Sequence, residues 1–444
     1  MLQGSRVAQS GKNQELNPSK GGAQPQQSPR PSNTLAKALE EGFSRPLRVL
    51  CVLPGVPFPA FSGGTQRTLE LMRTLAGQVE LTVLAFQGPG EDADGFREQL
   101  GRHVTVRTVP RSNRSPWRPG GVLASLARGV PPSYLPYLAP EALTAFTELL
   151  SQRPVDVVHF DHLHTAQWAP LARSLCPTAR LVLDEHNVES ALFERLAPLA
   201  PLPLRPLVRW QHRQVRQLEA HLLKQMDLVL ACSPVDGQQL EGLGARAVHV
   251  VPNGVRIDNS PGQALARTLR KDVVFVGAMD WLPNGDAALW LAKELWPRVE
   301  ADLAPSRLML IGRNPSSRLQ SCQRENLVVT GTVPSVAPYL EGAWATVVPL
   351  RLGSGTRLKL LEAAAAGVPI VASPLAAEGL PFQNGREALL ANTEAEFASA
   401  LRYLKNNPEE ASAMAQRAAT LAQRYAWGEV GAELMRAYRS TAPA

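Results

Sequence analysis

Short apolar runs of strand length recur along the chain and alternate with longer segments of helical character. In the first half the runs lie at 47–53, 79–86, 104–109, 155–160, 180–184, 227–232 and 247–251. A second series lies at 272–277, 307–312, 327–334, 345–350 and 368–372. Strands that alternate with helices form parallel sheets whose two faces are covered by helices. The pattern therefore predicts an α/β fold built from doubly wound, Rossmann-like domains.

Length and local composition predict the domain organisation. The chain has 444 residues, enough for two domains that each bury a core of their own. Residues 1–45 are rich in Gln, Ser, Pro and Gly and poor in large apolar groups, so we expect a disordered tail. We expect an N-terminal domain at 46–255, a linker at 256–271 and a C-terminal domain at 272–425. A long helix is expected at 208–226.

The net charge of +7 is partly concentrated in the tail, where six basic and three acidic residues give +3. Nucleic-acid binding would require a dense basic face on folded elements, so no nucleic-acid partner is expected. Anionic lipid surfaces and phosphorylated substrates remain compatible. No apolar run approaches 18 residues and the N-terminus lacks a signal-peptide core, so we expect a cytoplasmic protein. The four scattered cysteines are expected to be reduced.

One glycine-rich loop lies between two of these runs, and an Ala-rich helix follows it. The loop reads Gly353-Ser354-Gly355-Thr356, and the helix is closed by Gly367. Glycines let the backbone approach a ligand closely, and the free N–H groups at a helix start attract negative charge. Ser354, Gly355 and Thr356 are therefore candidate anion-binding residues.

Three charged residues follow the loop. Arg357 and Lys359 fall in the first helical turn, where cations are unfavourable for the helix itself, so a bound phosphate would explain them. Glu362 lies three residues beyond Lys359, on roughly the same face, and could accept hydrogen bonds from the hydroxyls of a ribose. The alternative is a simple Lys359–Glu362 surface pair after an ordinary turn.

This stretch resembles the donor-site signature of retaining GT-B glycosyltransferases of the family-4 kind (glycosyl transferases group 1), usually E-G-F-G-L-P-x-x-E-A. Glu362 matches the second glutamate, which in that family binds the ribose of the nucleotide. Ser354 stands in place of the first glutamate, so that residue's contacts to the donor sugar do not carry over. The resemblance implies two Rossmann-like domains facing each other across a cleft. It also implies that the last helix, about 426–444, packs back on the first domain.

Other donor-side residues follow from the same resemblance. Gly63-Gly64 matches a loop that faces the donor phosphates, although an ordinary tight turn is the alternative. Thr332 and Val333 match a turn that packs against the base. The family commonly has Arg and Lys near positions 278 and 283, where this chain has Ala278 and Pro283-Asn284. We infer that Arg357 and Lys359 stabilise the leaving diphosphate instead.

Histidines follow two predicted strands. His159, His162 and His164 surround Asp161, which allows a metal site or a polar lining of the cleft. The resembled family needs no bound metal, so no metal or other cofactor is expected. His186 matches a family histidine beside the donor sugar and acceptor, where it could orient the acceptor hydroxyl or donate to the sugar. The alternative is a loop histidine that caps backbone.

The resemblance implies a retaining glycosyltransferase that moves a sugar from a nucleotide-diphosphate donor to a hydroxyl of a saccharide or lipid-linked acceptor. Polysaccharide or glycolipid biosynthesis is the expected setting. Arg209, Arg213 and Arg216 share one helix face, which is either simply solvated or docks the protein peripherally on the anionic inner face of a membrane. Two other functions stay open: a nucleotide-sugar epimerase on the same fold, and a noncatalytic scaffold, which the missing glutamate at Ser354 slightly favours.

Overall fold

The computed structural model of the protein describes residues 45–112, 119–196, 202–257, 271–353 and 355–440. The expected tail lies outside these residues except for Arg45, and so does most of the expected linker at 256–271. Ser354, one of the candidate donor-binding residues, also lies outside them.

Thirteen strands in the described residues form two parallel sheets, the first in the order β3-β2-β1-β4-β5-β6-β7 and the second in the order β10-β9-β8-β11-β12-β13. The strands of the first sheet are β1 Arg48–Leu53, β2 Glu80–Gln87, β3 Thr105–Pro110, β4 Val157–Asp161, β5 Arg180–Glu185, β6 Leu228–Ala231 and β7 Val248–Val250. Those of the second are β8 Asp272–Val276, β9 Leu308–Ile311, β10 Leu327–Gly331, β11 Ala343–Val348, β12 Ile370–Ala372 and β13 Leu389–Leu390. The predicted α/β class with two Rossmann-like domains is confirmed.

Helices connect the strands. In the first domain they are α1 Gly63–Ala76, α2 Ala93–Leu100, α3 Pro119–Arg128, α4 Pro140–Gln152, α5 Leu163–Ala166, α6 Ala169–Leu175, α7 Glu189–Leu196, α8 Arg205–Leu223 and α9 Pro234–Leu243. In the second they are α10 Leu282–Trp290, α11 Trp296–Leu303, α12 Ser317–Gln320, α13 Ala337–Glu341, α14 Leu358–Ala365, α15 Pro374–Ala377, α16 Glu394–Asn406 and α17 Pro408–Ala422. The last helix is α18 Trp427–Arg439. Short 3-10 segments lie at Pro132–Tyr137, Leu202–Leu204 and Gln423–Tyr425, and a π turn at Leu291–Leu295 joins α10 to α11.

Two helix starts that matter for the site are built differently. Helix α1 has a capping box, in which the Ser62 hydroxyl accepts from the Thr65 amide and the Thr65 hydroxyl accepts from the Ser62 amide. Helix α14 begins at Leu358, and the side chain of its N-cap residue, Arg357, makes no cap hydrogen bond. The Leu360 amide donates to the Arg357 carbonyl at 3.0 Å, and a helix start without a side-chain cap suits a bound anion.

Helix α18 packs on the first sheet although it follows the second domain in sequence. Its residues Val430, Leu434 and Tyr438 are buried in the same core as β1 and α1. The Arg180 guanidinium donates to the Tyr438 carbonyl at 2.7 Å, and the Tyr438 hydroxyl lies 2.7 Å from His159 Nδ1. Burying large apolar side chains, at about 1.5–3 kcal/mol each, stabilises this return of the chain.

Two helix boundaries differ from the sequence-based expectation. Arg357 is the N-cap residue of α14, with φ −98° and ψ 96°, so it precedes the first turn instead of lying in it. The expected helix at 208–226 is observed as Arg205–Leu223, because it begins directly after the Leu202–Leu204 turn. Both shifts are small, since helix ends are weakly specified by local sequence. Of the helices in the described residues, none is both long and apolar enough to cross a bilayer.

Candidate functional site

The carboxyl ends of β4 and β5 place a buried ion pair beside the glycine loop of α1. Arg67 in α1 donates to both carboxylate oxygens of Asp184, at 3.0 and 2.6 Å, and both side chains are essentially inaccessible to solvent. The same guanidinium donates to the Pro252 carbonyl and to Asn253 Oδ1. A buried charge pair requires this complete hydrogen bonding. Arg67 therefore ties α1, β5 and the 252–253 turn together.

Asp161, the last residue of β4, organises two histidines. One carboxylate oxygen lies 2.8 Å from His186 Nε2, and the other lies 3.0 Å from His162 Nδ1 and accepts from the Thr68 hydroxyl. The two imidazole rings have centroids 3.6 Å apart and planes tilted by 33°. His186 is also 3.4 Å from Asp184 Oδ2. The pair forms one coupled network at the end of the sheet.

The pKa values of the two histidines are shifted in opposite directions. Burial opposes a charge on His186, but the carboxylates of Asp161 and Asp184 outweigh burial and raise its pKa to about 9. Burial, together with the neighbouring charged His186, lowers the pKa of His162. At neutral pH His186 is therefore an imidazolium and His162 a neutral imidazole. A charged His186 can donate a hydrogen bond but cannot accept a proton.

Two groups of side chains here have the composition of metal ligands. They are Asp161 with His162 and His186, and His159 with Asp161 and Asp184; within each group the ligand atoms lie within 4.8 Å of one another. Their ligand atoms already bond to neighbouring protein groups, since Asp184 binds Arg67 and His159 binds Tyr438. His164, the third predicted histidine, lies beside this cluster, with its ring centroid 6.2 Å from that of His162, and it stacks on Tyr134 at 4.4 Å.

The glycine loop before α14 lies against the first domain. Gly355 has φ +73°, and a Cβ placed there would collide with Asn187 Oδ1 and lie 3.0 Å from the His186 carbonyl oxygen. The Thr356 hydroxyl accepts from Asn253 Nδ2 at 2.6 Å. Only glycine has both the backbone freedom and the small size that this position requires. The loop thus touches the strand ends that carry His186.

The two cations of the signature point in different directions. Arg357 donates to the Gly355 carbonyl, and burial lowers its pKa to about 10. Lys359 instead reaches along the second domain. Its Nζ donates to Asn284 Oδ1 at 2.6 Å and lies 4.5 Å from the centroid of the Phe275 ring.

The pKa of Lys359 is shifted further from its ordinary value than that of Arg357. Burial lowers its pKa to about 7, the nearby Arg357 adds to the effect and Glu362 partly offsets it. Asn284 also donates to the Ala278 carbonyl at 3.0 Å, so it holds the start of α10 against the end of β8. The ammonium of Lys359 therefore lies beside Pro283-Asn284, the position at which the resembled family commonly has a lysine.

Glu362 faces the first domain. Burial raises its pKa, while Lys359 and a hydrogen bond with Gln66 of α1 lower it. Gly63 meets the same helix, because a Cβ placed on it would lie 2.9 Å from Leu358. A Cβ on Gly64 would lie 3.5 Å from His186 Nδ1. Gly63, Gly64, Glu362 and His186 thus come together.

Thr332 and Val333 lie farther away. They follow β10, the edge strand of the second sheet, and β9 and β8 separate it from β11. Three strand spacings of about 4.8 Å each put them on the order of 14 Å from the end of β11. They stay predictions as base-contacting residues.

Four residues of this region were not singled out from sequence. Arg67, Asp184 and Asn253 form the buried network, and Asn284 binds Lys359. Asn284 carried a signal, since it occupies a position where the resembled family has a cation. Arg67 carried a weaker one, because it lies one turn before Leu71, on the apolar face of α1.

Comparison with known proteins identifies both domains. The family described as "Glycosyl transferases group 1" matches residues 270–407, and "Glycosyl transferase 4-like domain" matches residues 62–254. A phosphatidyl-myo-inositol mannosyltransferase of Mycobacterium leprae is 30% identical over 214 residues, which are 46% of this chain and 56% of that protein. The corresponding protein of Mycolicibacterium smegmatis is 27% identical over 46% of this chain and 55% of its own. The chain thus spans about half the length of these relatives.

Solved structures match over most of the chain. Sucrose-phosphate synthase from Thermosynechococcus elongatus has a TM-score of 0.66 at 15% identity, covering 88% of this chain and 98% of that one. HepE from Anabaena, in complex with UDP and glucose, has a TM-score of 0.63 at 15% identity, covering 88% and 100%. At this identity the likeness concerns the fold. The two family matches show that the chain belongs to the group 1 glycosyl transferases, and the likeness to the solved structures shows that it has the GT-B fold.

Proposed function

We propose that the protein transfers a sugar, with retention, from a nucleotide-diphosphate donor to an acceptor hydroxyl. The observation that carries the proposal is that the start of α14, with the Gly355 loop before it and Lys359 and Glu362 on it, lies against Gly63 of the first domain. The relatives support it, since one is named a mannosyltransferase and HepE was solved with UDP and glucose. Retention rests on the family resemblance alone.

The donor would lie with its diphosphate over the start of α14. The amide groups there and at Gly355 and Thr356 supply hydrogen-bond donors, and the helix dipole favours negative charge. Lys359 supplies the positive charge that stabilises the departing diphosphate. Glu362 would hold the ribose, and the backbone around Thr332 and Val333 would contact the base. Ser354 would complete the phosphate loop.

Arg357 would act differently from Lys359. Its guanidinium bonds to the Gly355 carbonyl, so its first effect is to shape the loop whose amides face the diphosphate. Burial lowers the pKa of Arg357 only to about 10, so the guanidinium stays charged at neutral pH and adds to the positive field at the loop. Arg357 is therefore a proposed catalytic residue with two effects: it shapes the loop, and it adds positive charge beside the diphosphate.

His186 would donate a hydrogen bond to the donor sugar or orient the acceptor. Its pKa of about 9 keeps it charged at neutral pH, which excludes it as a general base in the resting state. The charged imidazolium would also favour the negative charge that develops on the leaving group. The Asp161 and Asp184 carboxylates fix its orientation.

We further propose that catalysis needs no metal or other cofactor. The ligand atoms of the Asp161 cluster bond to one another, and the Arg67 guanidinium and the charged His186 stand beside them. Two positive groups at this position oppose the binding of a third. Activity should therefore survive a strong chelator.

The proposed acceptor is a saccharide or a lipid-linked molecule, and the proposed location is the inner face of the membrane. The transfer would belong to glycolipid or polysaccharide biosynthesis. No nucleic-acid partner is proposed. The relatives' name supports a lipid-linked polyol. Arg209, Arg213 and Arg216 of α8 are exposed, and within the described residues none of them forms an ion pair. Leu202 and Leu207 nearby are 75% and 44% exposed. Cations beside exposed apolar groups suit an anionic lipid surface.

The membrane part has its own test. Each arginine near an anionic surface contributes about 1 kcal/mol, so replacing all three by Gln should weaken binding to phosphatidylserine vesicles by about a hundredfold. Neutral phosphatidylcholine vesicles serve as the control. Equal binding of the triple variant and the native protein would identify the arginines as a merely solvated face.

The donor part is tested by a panel of UDP-, GDP- and ADP-sugars scored by thermal stabilisation and then by transfer. Lys359→Met should lower the rate by about 10²–10³-fold, the range seen when a preorganised donor to developing charge is lost. Lys405→Met is the matched control, since Lys405 also lies over an aromatic ring, Trp344, but in a different part of the domain. Conversion of the donor without any acceptor would instead indicate an epimerase. If none of the sugar nucleotides stabilised the protein, the result would indicate a noncatalytic scaffold.

A further inference from the structure

We infer that Arg195 is a positioning residue, which holds the donor loop in shape by binding both the Gly353 carbonyl and the Glu378 carboxylate from the opposite domain. The inference rests on the proposed function in one respect, namely that the Gly353–Thr356 loop receives the donor. It adds a device that neither the signature nor the family resemblance contains.

Three hydrogen bonds carry the inference. Arg195 Nη1 donates to the Gly353 carbonyl at 2.6 Å and to Glu378 Oε2 at 2.8 Å, and Nη2 donates to Glu378 Oε1 at 3.0 Å. Arg195 lies in α7 of the first domain, whereas Gly353 and Glu378 belong to the second. A planar guanidinium is suited to such a fork, because it can bind a carboxylate with two parallel bonds and still reach a carbonyl.

Both ends of this contact are firmly held. The Glu219 carboxylate accepts from the Glu189 and Ser190 amides at 2.8 and 3.2 Å, which anchors the start of α7 to α8. On the other side, the Ser373 hydroxyl caps α15 and donates to the Leu350 carbonyl, so the segments before Gly353 and before Glu378 are joined. Arg195 therefore connects two segments that each have further hydrogen bonds within their own domain.

The loop itself needs such support. Gly353 and Gly355 have φ of +121° and +73°, conformations that a chain without side chains can also leave easily. The carbonyl of Gly353 is fixed by Arg195 and the hydroxyl of Thr356 by Asn253, both from the first domain. Separation of the domains would release both contacts at once. Donor affinity should therefore be coupled to domain closure.

Arg195→Ala is the direct variant, and Arg173→Ala is its matched control. Arg173 also ends a helix of the first domain and also binds a carboxylate and a carbonyl, Asp227 at 2.6 Å and Ala179 at 3.1 Å, but both partners lie in its own domain. Calorimetry with UDP, GDP and ADP should give a roughly ten- to hundredfold weaker affinity for Arg195→Ala, as expected for a displaced binding loop. Arg173→Ala should stay within about twofold of the native protein.

A second measurement keeps domain closure separate from donor binding. Cys176 in the first domain and Cys322 in the second are partly exposed, whereas Cys51 and Cys232 are buried. Spin labels on the two accessible thiols should therefore report the interdomain distance. Without any nucleotide, Arg195→Ala and Glu378→Gln should lengthen or broaden the distance distribution, and Arg173→Ala should not.

The outcomes separate this inference from the proposed function. If the native protein binds no nucleotide, the proposed function fails, while the spin-label distances still decide the role of Arg195. If Arg195→Ala and Glu378→Gln leave the distances unchanged, or if Arg195→Ala binds the diphosphates as tightly as the control, the inference is overturned.

Discussion

Binding of the donor should take up a proton at Lys359. Its ammonium is confined between Asn284 Oδ1 and the Phe275 ring, and burial lowers its pKa to about 7. The neutral amine therefore competes with the charged form in the free protein at physiological pH. A diphosphate beside it favours the charged form, so the pKa should rise again in the complex.

The magnitude follows from the lowered pKa. Roughly nine-tenths of Lys359 is charged at pH 6 and roughly one-tenth at pH 8, so the dissociation constant of a sugar nucleotide should rise about tenfold between them, or about 1.4 kcal/mol. The sign is fixed, because a depressed amine is charged below its pKa and loses that charge as the pH rises through it. His186, with a pKa of about 9, stays largely charged over this range.

The assay is calorimetry of the best-binding sugar nucleotide, whose diester phosphates do not titrate between pH 6 and pH 8. Repeating it in buffers of different ionisation enthalpy counts the protons taken up. Lys359→Met should bind weakly at both pH values with no pH dependence, and Lys405→Met should behave like the native protein. A tenfold pH effect that persists in Lys359→Met would refute the reasoning, and so would a native affinity independent of pH.

Three other outcomes are expected. Arg67→Met should destabilise the fold by about 3–5 kcal/mol in urea unfolding, because it leaves the Asp184 carboxylate buried without its partner. Arg153→Ala, which removes an exposed pair with Glu80, should change stability by less than about 0.5 kcal/mol, and equal losses in the two variants would contradict the reasoning. Gly355→Ala should keep the native circular dichroism but lose nucleotide binding, since the loop must move away from Asn187; unchanged affinity would argue against the loop geometry. Transfer activity should be the same with and without EDTA, and a loss restored by a divalent cation would establish a metal requirement.

Much of the fold could be predicted because parallel strands in a doubly wound sheet are buried on both faces. Runs such as 47–53 and 368–372 are almost wholly apolar, and they appear as β1 Arg48–Leu53 and β12 Ile370–Ala372. Helix limits were harder, since the end of a helix depends on caps and on the turn beside it. This is why the start of α14 fell at Leu358, beyond Arg357.

The site was only partly predictable. The glycines, cations and Glu362 of the donor stretch lie within ten residues of one another, and their chemistry can be deduced from that spacing. The partners of these residues come from elsewhere in the chain. Arg67 meets Asp184 across 117 residues, and Arg195 meets Glu378 across 183. No local pattern specifies such pairs, because crossover connections and the second domain decide which strand ends become neighbours.

The central claim, that the start of α14 binds the diphosphate of a nucleotide sugar, is tested most directly by a crystal structure with the tightest-binding nucleoside diphosphate. We expect phosphate oxygens within hydrogen-bonding distance of the Gly355 and Thr356 amides and of Lys359 Nζ, with the ribose hydroxyls on Glu362. A nucleotide bound elsewhere on the protein, with this helix start left vacant, would contradict the account.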